Sequence, residues 1–310
     1  MLQPLKPPAL RPGDAIRILS LASPVDEMRL LRGSEELKRL GYEVRMDRES
    51  VLGREGFFAG SQNDRAKALK AGICEAESRA IFCTRGGYGS NYLLDSLEEL
   101  GAAPKIFCGF SDSTSVQVFL WQKDRWVTFH GPMVAAGIDG GADAAGGYDS
   151  RSLMNALTET KEGWTIDLEG ESLTTGVAEG VLLGGCLTLV EATLGTAWAL
   201  DTRDAVLVLE DRDMKPYQVD RALMHLKQAG KFDGVGGVIL GEFPGCDAAP
   251  GTASVKDVAH RVLGPLGKPV VWGAPVGHTA RPMLTLPLGV RTRVSAGGEP
   301  KLDILEPAVT

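Results

Sequence analysis

The feature that most constrains this chain is the alternation of short apolar runs with helical stretches through its first half. Ala15–Ala22 reads as a strand and Glu27–Leu40 as a helix; Tyr42–Met46 is a second strand, and a helix follows around Asn63–Glu77. Ala80–Thr84 and Lys105–Cys108 read as two further buried strands, with a helix over Tyr92–Leu100 between them. Strands separated by helices of this length define βαβ units, which must cross over and therefore build a parallel sheet. At 310 residues the chain has room for about two such units of domain size.

The second half carries more strand signal. Gly176–Leu183, Ala205–Leu209, Val235–Leu240, Val270–Trp272 and Val290–Val294 are candidate strands. Two helices show the i, i+3, i+4, i+7 spacing, one through Val219, Ala222, Leu223 and Leu226 and one through Val255, Val258, Ala259 and Val262. Between the halves, AAGIDGGADAAGG over residues 135–147 is too rich in glycine for a core element and reads as a surface loop or linker. The expected division is an N-terminal α/β domain over 1–150, a linker region over 151–175 and a β-rich C-terminal domain over 176–310.

Composition narrows the partners. Lys plus Arg number 33 against 40 Asp plus Glu, a net charge of −7, so nothing favours nucleic acid, whose phosphates demand a clustered basic excess. No apolar run approaches the roughly 20 residues of a membrane span. MLQPLKPPALRPGD at the start has no apolar core behind a basic end, so the expected location is cytoplasmic. The five cysteines, Cys74, Cys83, Cys108, Cys186 and Cys246, include no C-x-x-C pair and read as small buried hydrophobes. With no His-x-x-x-His, His-Glu-x-x-His or Asp-rich calcium loop, neither a metal nor a cofactor is expected.

The sharpest local signal is Ile106-Phe-Cys-Gly-Phe-Ser111-Asp-Ser-Thr-Ser115, followed by an apolar helix. A strand, a serine in a tight turn and a helix start form the context in which a nucleophilic hydroxyl is raised above a sheet. Helix capping gives the same crowd of Ser, Thr and Asp, and Ser113 stands where the common G-x-S-x-G pattern ends in glycine. A second signal, Thr84-Arg-Gly-Gly-Tyr-Gly-Ser90, follows a strand and could offer backbone N–H groups to an anion, or be an ordinary turn. It fails as a dinucleotide fingerprint, since Tyr92 occupies the third glycine position, and it lacks the ending of a Walker loop.

A serine nucleophile needs a base, and the chain has four histidines. His225 and His260 fall in amphipathic helices. His130 ends a strand, and His278 lies in the rigid Ala274-Pro-Val-Gly-His-Thr-Ala-Arg-Pro282 loop, which gives it a slight lead. Glu210 and Asp211 end the apolar run Ala205–Leu209 and are candidate carboxylates to orient the imidazole, or ordinary loop starters.

Together these stretches resemble the LD-carboxypeptidases, a serine peptidase family that includes the microcin-immunity hydrolases. The resemblance runs from Ala22-Ser-Pro24 and Phe58-Ala-Gly60 through Thr84-Arg-Gly-Gly-Tyr-Gly89, Gly109-Phe-Ser-Asp-Ser-Thr114 and Phe129-His-Gly-Pro-Met133. It continues in Gly184-Gly-Cys-Leu-Thr188, Leu194-Gly-Thr196, Leu209-Glu-Asp211, Pro216-Tyr-Gln-Val-Asp-Arg221, Gly277-His278 and Leu284-Thr-Leu-Pro-Leu-Gly289. It implies a flavodoxin-like N-terminal domain carrying the nucleophile and a smaller β-rich α/β C-terminal domain carrying the Glu and His. It implies a Ser-Glu-His triad at Ser111, Glu210 and His278, with an oxyanion hole from the Gly87 and Asp112 amides. The implied substrate is a murein tetrapeptide that loses its terminal D-Ala during cell-wall recycling, and the implied assembly a homodimer. Such a substrate ends in a free carboxylate, for which Arg85 and Arg281 are candidates because a guanidinium can grip a carboxylate bidentately.

Departures exist. Cys186 stands where the family pattern implies Asn, and Met214-Lys215 replaces an acidic-plus-Pro stretch. The rival within the family is hydrolysis of peptidyl-nucleotides, which would need an aromatic for the base, such as Trp164, Trp198 or Trp272. Outside catalysis stands a binding module on the same scaffold. A cysteine nucleophile would have to be Cys108, which the strand buries.

Overall fold

The computed structural model describes residues 3–97 and 101–310. Its elements run β1 (Ala15–Leu19), α1 (Glu27–Arg39), β2 (Glu43–Arg45), α2 (Arg48–Val51), α3 (Gln62–Cys74), β3 (Ala80–Cys83), β4 (Ile106–Gly109), α4 (Thr114–Asp124) and β5 (Thr128–His130). They continue with α5 (Ser150–Thr158), β6 (Trp164–Asp167), β7 (Glu171–Thr174), β8 (Gly176–Cys186), α6 (Leu187–Ala192), β9 (Ala205–Glu210), α7 (Pro216–Gln228) and β10 (Gly237–Leu240). The chain ends with α8 (Val255–Leu263), β11 (Val270–Trp272), β12 (Leu286–Leu288), β13 (Arg291–Ala296) and β14 (Lys301–Ile304).

Two sheets result. The first has the order β12-β5-β4-β3-β1-β2, and β1 to β5 are parallel within it. Its 2-1-3-4-5 core is the flavodoxin-like arrangement, in which the loops after β1 and β3 open a crevice where the strand order reverses. β3 and β4 are buried on both faces, as expected of Ala-Ile-Phe-Cys and Ile-Phe-Cys-Gly covered by helices on either side.

The second sheet has eight strands, β6-β14-β13-β8-β9-β10-β11-β7. β8, β9, β10 and β11 run parallel to one another, and antiparallel strands flank them on both sides. This sheet is wider than the first, so the C-terminal half is β-rich but has a parallel core of its own. α7 and α8 bury the apolar stripes read from the sequence, including Val219, Leu223, Val258 and Val262.

Three expectations are corrected. Residues 151–175, expected as a linker, carry most of α5 and the strands β6 and β7, which form the two edges of the eight-stranded sheet. The glycine-rich stretch 135–147 is not a simple surface loop: Ile138 is fully buried, and α1 approaches so closely that a Cβ on Gly33 would lie 1.9 Å from the Val134 carbonyl oxygen. Tyr92–Leu100, expected as an α-helix, is a 3-10 helix over Ser90–Leu97, and its last three residues lie outside the described residues. Among the described residues no helix is long and apolar enough to cross a membrane.

One strand changes sides. β12 belongs by sequence to the second half, yet it pairs antiparallel with β5 in the first sheet, Leu286 opposite His130. The loop before β12, which carries His278, is thereby fixed to both halves.

Candidate active site

Ser111 stands at the end of β4, in a 3-10 turn that runs directly into α4. Its φ of 60° is left-handed, a conformation that costs a non-glycine residue about 1–3 kcal/mol. The turn is overdetermined by its surroundings. Ser113 Oγ donates to the Phe110 carbonyl (2.8 Å), and the Gln117 amide donates to the carbonyls of Gly109 (3.0 Å) and Phe129 (2.8 Å). α4 is buried from Thr114 to Trp121, so the hydroxyl rests on the N-terminus of a central helix.

The glycine-rich turn packs against it. A Cβ on Gly86 would lie 2.7 Å from Ser111 Oγ, and one on Gly87 would lie 2.2 Å from Ser23 Oγ, so neither position tolerates a side chain. Ser23, after β1, accepts from the Tyr88 amide (3.2 Å), which fixes the turn across the crevice. Asp112 joins the two loops: its carboxylate accepts from the Ser90 amide (2.8 Å), and its carbonyl accepts from Ser90 Oγ. Burial raises the Asp112 carboxyl above the ordinary range, against the opposing Ser90 hydrogen bonds and the Arg65 charge. The Gly87 and Asp112 amides have no hydrogen-bond partner among the described residues.

From the other half come Glu210 and His278. Glu210, the last residue of β9, is fully buried; its Oε2 accepts from His278 Nδ1 (2.6 Å) and from the His278 amide (2.9 Å). Burial alone would raise this carboxyl, but the His278 and His130 imidazoles and the hydrogen bonds from His278 hold it below the ordinary range. The His278 loop is clasped from outside. The Gly146 amide donates to the Ala280 carbonyl (2.7 Å), and Met283 exchanges backbone bonds with Gly147 and Asp149 (3.1 and 2.9 Å).

Ser111 and His278 line one cavity of about 610 Å³, together with Arg85, Gly86, Gly87, Cys186 and Asp211. No direct hydrogen bond joins Ser111 to His278 among the described residues; in apo structures such bonds are often long and tighten only with substrate. Arg85 is exposed, its guanidinium held, among the described residues, only by the carbonyls of Gly86 (3.1 Å) and Pro24 (3.4 Å). Asp211 faces the same cavity with its carboxylate committed to Thr188 and to the Arg212 amide.

Other candidates separate from this group. Arg281 is absent from the cavity lining: it is bound to Glu242 (2.5 Å), to Glu169 and to the Gly273 carbonyl, and so anchors the His278 loop. Its partners are far away in sequence, which is why the sequence offered it as free. Cys108 is buried with its thiol against the Pro132 carbonyl (3.5 Å), and burial pushes that thiol well above the ordinary range, which removes it as a nucleophile. Cys74, expected to be buried, is exposed at the end of α3. Trp164, Trp198 and Trp272 do not line the cavity; Trp272 stacks on Phe243 and Trp198 packs edge-on to Phe119. His225 pairs with Glu191 on the surface, and His260 is exposed. Among the described residues no group of three or more His, Cys, Asp or Glu is placed to hold a metal ion.

Comparison with known proteins agrees with this two-domain construction. The model of the LD-carboxypeptidase N-terminal domain matches residues 16–131, and that of the C-terminal domain matches residues 179–294. The chain is 31% identical to a Bacillus subtilis protein named "Probable murein peptide carboxypeptidase", over 98% of this chain and 95% of that one. It is 28% identical to the microcin C7 self-immunity protein MccF of Escherichia coli, over 94% and 93% of the two chains. A solved structure of MccF with glutamyl sulfamoyl guanosine superposes with a TM-score of 0.88 at 25% identity, covering 99% of this chain and 100% of that one. The muramoyltetrapeptide carboxypeptidase of Oxalobacter formigenes superposes with a TM-score of 0.81 at 26% identity, covering 96% and 100%. The fold and these matches define a serine-type peptidase. The chain belongs to the LD-carboxypeptidase family.

Proposed function

We propose that this peptidase removes a terminal D-amino acid by hydrolysing an L,D-peptide bond, with a murein tetrapeptide as substrate and D-Ala as the released product. The observation that carries the reading is the 2.6 Å contact of Glu210 Oε2 with His278 Nδ1, in a buried site that opens beside Ser111.

In this mechanism Ser111 Oγ attacks the scissile carbonyl while His278 Nε2 takes its proton. Glu210 keeps the His278 proton on Nδ1, which leaves Nε2 free to act as base, and stabilises the imidazolium that forms. The oxyanion is received by the Gly87 and Asp112 amides, an interaction of about 3–4 kcal/mol per donor in other acyl-transfer enzymes. His278 then protonates the departing amine, and water resolves the acyl-enzyme by the same route in reverse. Arg85 at the cavity mouth takes the free carboxylate of the substrate.

The MccF relative was solved with sulfamoyl nucleosides, but the residues that line this cavity include no tryptophan to stack on a base, which favours the peptide. The test is mass spectrometry of L-Ala-γ-D-Glu-meso-diaminopimelate-D-Ala incubated with purified protein and with Ser111→Ala. Release of D-Ala by the wild type and its loss in the variant is the expected result. Intact tetrapeptide beside cleaved aspartyl sulfamoyl adenosine would overturn the substrate. Activity above a few per cent in Ser111→Ala would overturn the nucleophile.

A further inference from the structure

Glu210 is embraced by two imidazoles, and the mechanism above uses only one. His130 closes β5, opposite Leu286 on one side and, on the other, Gly109, two residues before Ser111. It is fully buried, and neither ring nitrogen has a hydrogen-bond partner among the described residues. Its Nε2 lies 3.8 Å from Glu210 Oε1, and that carboxylate oxygen is likewise buried and without a partner. The Phe110 ring packs edge-on against both imidazoles, with centroids 6.1 Å from His130 and 5.1 Å from His278.

Buried polar groups are almost always satisfied, because an unmade hydrogen bond forfeits the solvation it replaced. Here two orphans face each other just beyond bonding distance, and each is the other's complement: an imidazole that can donate and a carboxylate oxygen that can accept. The oxygen belongs to the group whose orientation decides where His278 points.

We propose that His130 is a positioning residue for Glu210: its neutral imidazole donates from Nε2 toward Glu210 Oε1 and fixes the carboxylate plane against His278. Neutrality is essential, because a second imidazolium would cancel the charge that His278 draws on; burial supplies it, holding His130 below the usual histidine range against the pull of Glu210. Three ionisable groups face Glu210: His278 from the loop before β12, His130 from β5, and the Cys186 thiol from the end of β8, which burial keeps protonated. Among the described residues, the ionisable groups that face His130 are Glu210 and His278.

The proposal rests on the reading of Glu210 and His278 as carboxylate and base, and the experiment separates the two. D-Ala release from the tetrapeptide is followed against pH for wild type, His278→Ala, His130→Phe and His130→Gln. Phe keeps the volume without a donor, and Gln keeps an N–H. Loss of the donor leaves the carboxylate less stabilised, so the Glu210–His278 pair holds its proton more tightly. His130→Phe therefore lowers kcat about tenfold with KM unchanged and moves the acid limb to higher pH, and His130→Gln recovers most of both.

Wild-type kcat and acid limb in His130→Phe would overturn the proposal while leaving the base assignment intact. Full activity in His278→Ala would overturn the base assignment itself. Nitrogen-15 NMR of histidine-labelled wild-type protein reads the tautomer without any substitution. The neutral Nε2–H form of His130 is expected, and the Nδ1–H form would also overturn the role.

Discussion

A side chain at position 277 and the carboxyl of Glu210 cannot coexist: a Cβ on Gly277 would lie 2.2 Å from Glu210 Cδ, and the glycine has a φ of 62°. The backbone thus passes directly over the carboxylate, which is how the amide and the ring of the next residue, His278, both reach Oε2. Gly277→Ala therefore acts on Glu210 rather than on the cavity wall. Its expected effect is a fall in kcat/KM on the order of 100-fold, the scale of a misplacement of about 1 Å in a catalytic group. Steady-state kinetics with a melting curve checks this, since wild-type kinetics in the folded variant would show that Glu210 can move without consequence.

The Ser90–Asp112 pair ties the two proposed oxyanion donors together, because Asp112 supplies one amide and Ser90 ends the turn that supplies the other. Removing the Ser90 hydroxyl leaves both amides in place but loosens their spacing. Ser90→Ala should lower kcat by roughly tenfold at constant KM, less than the roughly 10²–10³ that follows outright loss of a donor. A rise in KM alone would mean that the pair shapes ground-state binding instead.

What the sequence disclosed tracks how local each signal is. β3, β4 and β9 are uninterrupted apolar runs, and the turn at Ser111 is complete within ten residues, so both were legible. β6 and β7 are four residues each with mostly exposed or half-exposed side chains, which leaves no apolar period to read. β12 is Leu-Pro-Leu, a short edge strand whose proline argues against a strand until its partner β5 is seen. His130 and His278 were nearly equal as bases because only the rigid loop around His278 separates them locally; their distinction lies in exposure and in which oxygen of Glu210 each faces.

The two arginines singled out together have opposite environments, and their variants should diverge. Arg85 stands at the cavity mouth with weak carbonyl contacts, whereas Arg281 is bound to Glu242, Glu169 and the Gly273 carbonyl. Arg85→Ala should raise KM for the tetrapeptide by roughly 10- to 100-fold, the scale of a lost hydrogen bond to a charged group. Arg281→Ala should leave KM alone and destabilise the folded state by about 1 kcal/mol, since its ion pairs are partly exposed. Equal KM in wild type and Arg85→Ala would move the carboxylate grip elsewhere on the cavity wall.

Acid stability offers a measurement of His130 that needs no substrate. Its pKa lies below the ordinary value of 6.5 in the folded chain, so the unfolded chain binds more protons in that window. Stability is therefore complete above about pH 6.5 and declines as pH falls toward the depressed value, with a slope of at most about 1.4 kcal/mol per unit. The depressed carboxylates, among them Glu36, Glu75 and Glu210, titrate below 4.5 and leave this window clear. Asp112 has the opposite sign, its raised pKa making stability fall as pH rises above 3.8, but it is present in wild type and variant alike. His130→Phe should thus melt with a flatter pH dependence between pH 7 and 5 than wild type, whatever its absolute stability. Parallel curves over that range would mean that His130 binds its proton alike in the folded and unfolded chain, and a wild-type stability that instead rises relative to the variant as pH falls from 7 to 5 would mean that His130 pairs with Glu210 as a cation.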